Sequence, residues 1–121
     1  NTPHIVRLAV QQDGLALRFA SQILKNNFDI VLTAVQQDGL AVQYASEALR
    51  DNLNIALAAV QNDPTAIRYL SDQLKDNIEV VRAACNVEPL ALRYASPRLQ
   101  AELAGEYPNR PRRRREAQQA V

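Results

Sequence analysis

Few side chains in this sequence have the type and spacing for covalent or metal chemistry. His4 is the single histidine. A metal site needs three or four ligands, and no cysteine or acid cluster lies within sequence reach of it. Cys85 is the single cysteine. It could act as a nucleophile only with a base beside it, and it cannot form an internal disulfide. Asp13, Asp38 and Asp63 recur as a row of carboxylates. Ca²⁺ needs a denser set of oxygens than one acid per turn. The chain has only three glycines, and none form a phosphate-cradling loop. The expectation is a chain that is not an enzyme, with no catalytic residue, no cofactor and no metal.

Two sets of basic and polar residues are better placed for recognition. Arg18, Gln43, Arg68 and Arg93 recur at one interval, so on stacked helices about 8–10 Å apart they would form a polar stripe. Gln11, Gln36 and Gln61 would form another. A plain solvated face is the competing reading of both. The Arg stripe is expected to contact an acidic partner. Further on, Arg110, Arg112, Arg113, Arg114 and Arg115 crowd a segment that also holds Pro108 and Pro111. Residues 1–107 carry nine Lys/Arg against twelve Asp/Glu, a net −3. Residues 108–121 carry five Arg against one Glu, a net +4. Such a basic run is a solvated tail, a peptide docked in a larger assembly, or a binder of nucleic acid or an anionic surface. It has no aromatic stacking platform beside it and no recognisable nucleic-acid module.

The elements that must carry these residues follow from an internal repeat. Residues 10–21 (VQQDGLALRFAS), 35–46 (VQQDGLAVQYAS), 60–71 (VQNDPTAIRYLS) and 85–96 (CNVEPLALRYAS) align without gaps, each 25 residues after the last. Leu24, Leu49, Leu74 and Leu99 share a position, as do Ile5, Ile30, Ile55 and Val80. Four units result, 1–25, 26–50, 51–75 and 76–100, followed by a basic tail over 101–121. Cys85 stands where the other units carry Val, so it reads as a small buried hydrophobe.

Within the second unit, Ile30, Val31, Ala34 and Val35 make one helical face, predicting a helix over 28–37. Asn26, Asp51 and Asp76 precede these stretches and are expected to cap them. Asp76 and Glu79 have capping-box spacing. A second helix is predicted over 39–46. Gly14, Gly39, Pro64 and Pro89 share its first position, and Pro excludes a positive φ there. The preceding Asp13, Asp38, Asp63 or Glu88 therefore reads as the N-cap, with Gly or Pro as first helical residue. Ser96-Pro97 breaks the helix near Ala95 and starts a short third turn. By symmetry Ser21, Ser46 and Ser71 do the same. One continuous helix over 39–50 is the competing reading. Phe19, Tyr44, Tyr69 and Tyr94 are expected to form a core ladder, and Ala16, Ala41, Ala66 and Ala91 to permit close helix approach.

These helices are shorter than the roughly 12–15 residues that persist alone. Their stability must come from packing unit on unit. The fold class read here is all-α: a right-handed helical-repeat solenoid, each unit two short helices plus a short third turn. A chain that is 47% hydrophobic and 22% charged is neither disordered nor membrane-spanning, and no run of about 18 apolar residues occurs. It reads as soluble, without a signal peptide, its compartment undecided. The first unit opens on Ile5, Val6, Leu8 and Val10 without a polar cap, which favours a partner or further repeats.

The string A-V-Q-Q-D-G-L-A-x-x-[FY]-A-S followed by L-[KR]-[ND]-N, at this period, resembles the repeats of the domain-of-unknown-function family DUF4116. The resemblance spans about residues 4–100, departing at Pro64, Leu70, Asn86, Val87 and Pro89. The pattern is more weakly similar to the leucine-rich repeat variant. The resemblance implies an all-helical repeat fold and carries no catalytic or ligand residues. Such repeats occur in bacterial proteins, host-directed effectors among them, and in algae and other protists. The functional expectation is a protein–protein interaction scaffold, an accessory or structural subunit of a larger assembly such as an organellar photosynthetic complex. The alternatives are nucleic-acid or anionic-surface binding through the Arg-rich tail, and a host-directed effector module.

Overall fold

A computed structural model describes residues 2–107. It is helical throughout the described residues, with no strands among them. One order of elements recurs four times: a ten-residue α-helix, a six-residue 3₁₀ helix and a short α-helix. The long helices are α1 (Pro3–Gln12), α3 (Phe28–Gln37), α5 (Leu53–Asn62) and α7 (Ile78–Val87). The 3₁₀ helices are Gly14–Phe19, Gly39–Tyr44, Pro64–Tyr69 and Pro89–Tyr94. The short α-helices are α2 (Gln22–Lys25), α4 (Glu47–Arg50), α6 (Asp72–Lys75) and α8 (Pro97–Leu103). Each long helix packs on the next, and the first three 3₁₀ helices pack on both their own long helix and the following unit.

The long helices bury the face expected of them. Ile30, Val31, Ala34 and Val35 are inaccessible to solvent, as are their counterparts in α5. Cys85 takes the Val position of α7 and is 1% exposed. Removal from water disfavours the thiolate and pushes the Cys85 pKa up to about 11.

The caps lie one residue later than the sequence reading had them. Asn27, Asn52 and Asn77 are the N-caps, their Oδ1 accepting from the N–H of Ile30, Ile55 and Val80 at 3.1–3.2 Å. Asn77 also accepts from Glu79. Asn26, Asp51 and Asp76 do a different job. Each accepts the hydroxyl proton of the serine twenty residues on: Ser46 (2.6 Å), Ser71 and Ser96 (2.6 Å). Their backbone φ near −103° belongs to the end of the preceding short helix, which explains the shift.

The second helix is where the structure departs most from expectation. Asp13, Asp38, Asp63 and Glu88 cap it, but accept from the N–H two residues on, at 3.0–3.1 Å. Backbone bonds then run to the third residue, as from Ala41 N–H to Asp38 C=O at 2.9 Å. The result is 3₁₀, with three residues per turn instead of 3.6. Positions three apart therefore share a line. Gly39, Val42 and Ala45 form the buried line; Ala41 and Tyr44 a second; Leu40 and Gln43 a third, facing outward. Ala45 and Ser46 are extended, which separates the 3₁₀ helix from α4.

The same register corrects the aromatic ladder. Tyr44, Tyr69 and Tyr94 are half-buried at the edge of the core, and Phe19 is 70% exposed. Ile5 is 64% exposed, whereas its counterparts Ile30, Ile55 and Val80, each covered by a preceding unit, are fully buried. The opposite end is closed. Helix α8 runs three residues beyond its counterparts and buries Leu103. Tyr107 donates its hydroxyl proton to Asn86 at 2.8 Å, and Arg82 pairs with Glu106. Residues 101–107 thus belong to the packed body, not to the departing tail that the repeat period alone assigned them to.

Candidate functional site

The three-residue period of the 3₁₀ helices places the polar stripe. Arg18, Arg68 and Arg93 each occupy the fifth position, on the line that faces solvent, and all three are exposed. The neighbouring aromatic is the last residue of the same helix. Consecutive 3₁₀ residues are splayed by about 120°, so the long arginine side chain can fold back across the ring beside it. The Arg18 guanidinium carbon lies 4.5 Å from the Phe19 ring centre. Arg68 lies 5.2 Å from Tyr69 and 5.7 Å from Tyr94 of the next unit. Arg93 lies 5.5 Å from Tyr94. Each contact is a cation held over a ring quadrupole, about 0.5–1 kcal/mol at exposed sites.

Gln43 holds the same position in the second unit but leaves the stripe. It is half-buried, and its Nε2 donates to the Leu40 carbonyl at 3.0 Å. The stripe is thus interrupted between units 1 and 3. No carboxylate pairs with Arg18, Arg68 or Arg93 among the described residues. Other arginines are committed: Arg98 bridges Asp76 (3.0 Å) and Glu102 (2.9 Å), and Arg82 holds Glu106. Arg110, Arg112, Arg113, Arg114 and Arg115 lie outside the described residues.

Sequence reasoning missed the aromatics as members of this surface. The signal was present: each unit pairs the stripe residue with an aromatic, as Arg18-Phe19, Gln43-Tyr44, Arg68-Tyr69 and Arg93-Tyr94. A period of three, in place of 3.6, is what brings the pair to the surface together.

Beside the stripe runs a shallow groove between α4 and α6. It is lined by Glu47, Asp51, Ser71 and Asp72, and its near end reaches Tyr69 and Arg50. The other residues singled out for chemistry are placed apart. His4 is exposed in the first turn of α1. The Asp13, Asp38 and Asp63 carboxylates are occupied as caps. Gln11, Gln36 and Gln61 are exposed at the ends of the long helices. Among the described residues no group of three or more His, Cys, Asp or Glu is gathered to hold a metal. No helix among them is long and apolar enough to cross a membrane.

Comparison with known proteins agrees with the repeat. The model of one family, described as "Domain of unknown function (DUF4116)", matches residues 3–50 and again residues 52–100. Each match takes in two of the α, 3₁₀, short-α sets. No curated protein and no solved structure matches the chain. Two tandem matches across most of its length, on an all-helical repeat, place this chain in the DUF4116 family.

Proposed function

We propose that the chain is a non-catalytic protein–protein interaction scaffold, an accessory or structural subunit of a larger assembly, whose recognition surface is the arginine–aromatic stripe. One observation carries this reading. Arg18, Arg68 and Arg93 are exposed, stacked on rings and without a carboxylate partner among the described residues. Arginine and tyrosine are the residue types that dominate binding energy at protein interfaces. A guanidinium already held against a ring loses little further freedom when it meets a partner. The repeat supports the same reading, because stacked units offer an extended surface to an extended ligand.

The test is affinity purification of the full chain from its own cells, followed by mass spectrometry. The comparison is with a chain carrying Arg18→Glu, Arg68→Glu and Arg93→Glu. Stoichiometric partners retained by the first and lost by the second are the expected result. An unchanged set of co-purifying proteins rejects the proposal. Retention that collapses with moderate salt and with ribonuclease favours nucleic-acid binding through the basic tail.

A further inference from the structure

Arg68 and Arg93 share a ring. Their guanidinium carbons lie 5.7 and 5.5 Å from the centre of the same Tyr94 side chain. Two like charges are held against one ring where units 3 and 4 meet, and neither pairs with a carboxylate among the described residues. The ring attracts each cation, and an anion that reaches both is attracted by two charges at once. A guanidinium stacked by its face keeps its N–H edge free, and that edge fits the two oxygens of a carboxylate.

The geometry points to this junction as the anchor for an extended acidic polypeptide segment, which sets carboxylates on Arg68 and Arg93 and a neutral side chain opposite Gln43. The inference rests on the scaffold reading above and names its partner's chemistry. Three observations favour a polypeptide over a nucleic-acid strand. A phosphate backbone carries a charge on every nucleotide and is best met by an unbroken cationic row, yet Gln43 interrupts this one. Single-stranded binding uses open aromatic faces on which bases stack, whereas guanidiniums lie over Phe19, Tyr69 and Tyr94. Glu47 and Asp72 line the groove that reaches Tyr69, and would repel a phosphate chain. A polypeptide can place a neutral or basic residue there.

The experiment measures fluorescence anisotropy of two labelled probes, a peptide of alternating Glu and Ser and an oligouridylate of equal length. It uses the full chain and a full-length version with Arg110, Arg112, Arg113, Arg114 and Arg115 changed to Gln, which removes binding through the basic segment. In both backgrounds Arg68→Gln with Arg93→Gln should weaken peptide binding by about tenfold, the effect of losing two ion pairs of about 0.7 kcal/mol each. Arg18→Gln alone should cost less. The double variant should still fold cooperatively, its unfolding temperature lowered only by the lost ring contacts. Equal peptide affinity with and without Arg68 and Arg93 overturns the inference. Tighter binding of oligouridylate through these two arginines overturns it as well. If the native partner is lost on substitution yet the acidic peptide never binds, the carboxylate anchor fails while the scaffold stands.

Discussion

Two glycines are fixed by a neighbour and not by their own backbone angles. A Cβ on Gly14 would stand 2.3 Å from the carbonyl oxygen of Ala34, and one on Gly39 the same distance from that of Ala59. Neither has a positive φ. Gly39→Ala should therefore destabilise the fold by about 1–3 kcal/mol through overpacking between units, read as a lower urea midpoint. Gly105→Ala should be near neutral, because nothing approaches its Cβ position. Asp76 offers a pH test. Its carboxyl is held below the usual range first by the Ser96 hydroxyl, then by Arg98. A depressed folded pKa gives stability that is present above the unfolded value near 3.8 and lost as pH falls through the folded one. Ser96→Ala should raise the Asp76 pKa in a carboxylate NMR titration; an unmoved titration would contradict this hydrogen bond. Cys85 runs the other way. Its thiol is neutral up to about pH 11 in the fold, so iodoacetamide should label it only after unfolding.

At the scale of the elements, the repeated serines join cap and coupler. The Ser71 hydroxyl oxygen accepts from Leu74 at 3.2 Å, its proton goes to Asp51, and its backbone N–H donates to Arg50 C=O at 3.2 Å. Ser21 likewise caps Leu24. Ser71→Ala should then cost about 1 kcal/mol for the cap plus a further amount for the bond to Asp51 at the end of α4. Asp51→Ala should remove the link and leave the Ser71 cap in place. An Asp51→Ala chain with an unchanged thermal unfolding midpoint would mean that the link adds nothing. A second coupling ties Gly39 to Asn62. The Gly39 N–H donates to Asn62 Oδ1 at 2.7 Å, and Asn62 Nδ2 reaches Gln36 C=O at 3.2 Å. One unit later Pro64 has no N–H to give, and Val87 stands where Asn62 would be needed.

The elements also show what was legible in the residues alone. The long-helix bounds 28–37 were readable because apolar spacing and the following Asp38 mark both ends. The break at Ser96-Pro97 was readable because proline restricts the residue before it. The 3₁₀ character was not. Leu40, Ala41, Val42, Tyr44 and Ala45 fit a helical face over so short a span, and only the backbone bonds separate a period of three from one of 3.6. That difference moved the tyrosines from the core to its edge and Phe19 to the surface, and with them half of the candidate site. The choice between Asn26 and Asn27 as cap was equally hidden, since both side chains can accept the same bond.

Over the whole molecule, contacts link each unit to its neighbours, so stability is close to a sum of unit and interface contributions. The two ends differ. Arg82–Glu106, Tyr107–Asn86 and buried Leu103 close one end, while α1 leaves Ile5 and Leu8 bare. Hydrogen exchange should be fastest in α1 and slowest in α5, which is covered on both sides. Uniform protection across α1 and α5 would contradict this ordering.

The bare face of α1 gives the array a direction of growth. Its exposed Ile5 and Ala9 stand where α3, α5 and α7 bury their counterparts under the unit before them. An engineered chain with a copy of residues 26–50 placed ahead of α1 should seat that copy, bury Ile5 and raise the melting temperature. The same copy inserted after Tyr107 would have to displace Leu103 and Tyr107 first, and should lower it. A unit added before α1 would cover bare surface, whereas one added after Tyr107 would first have to undo packing already made.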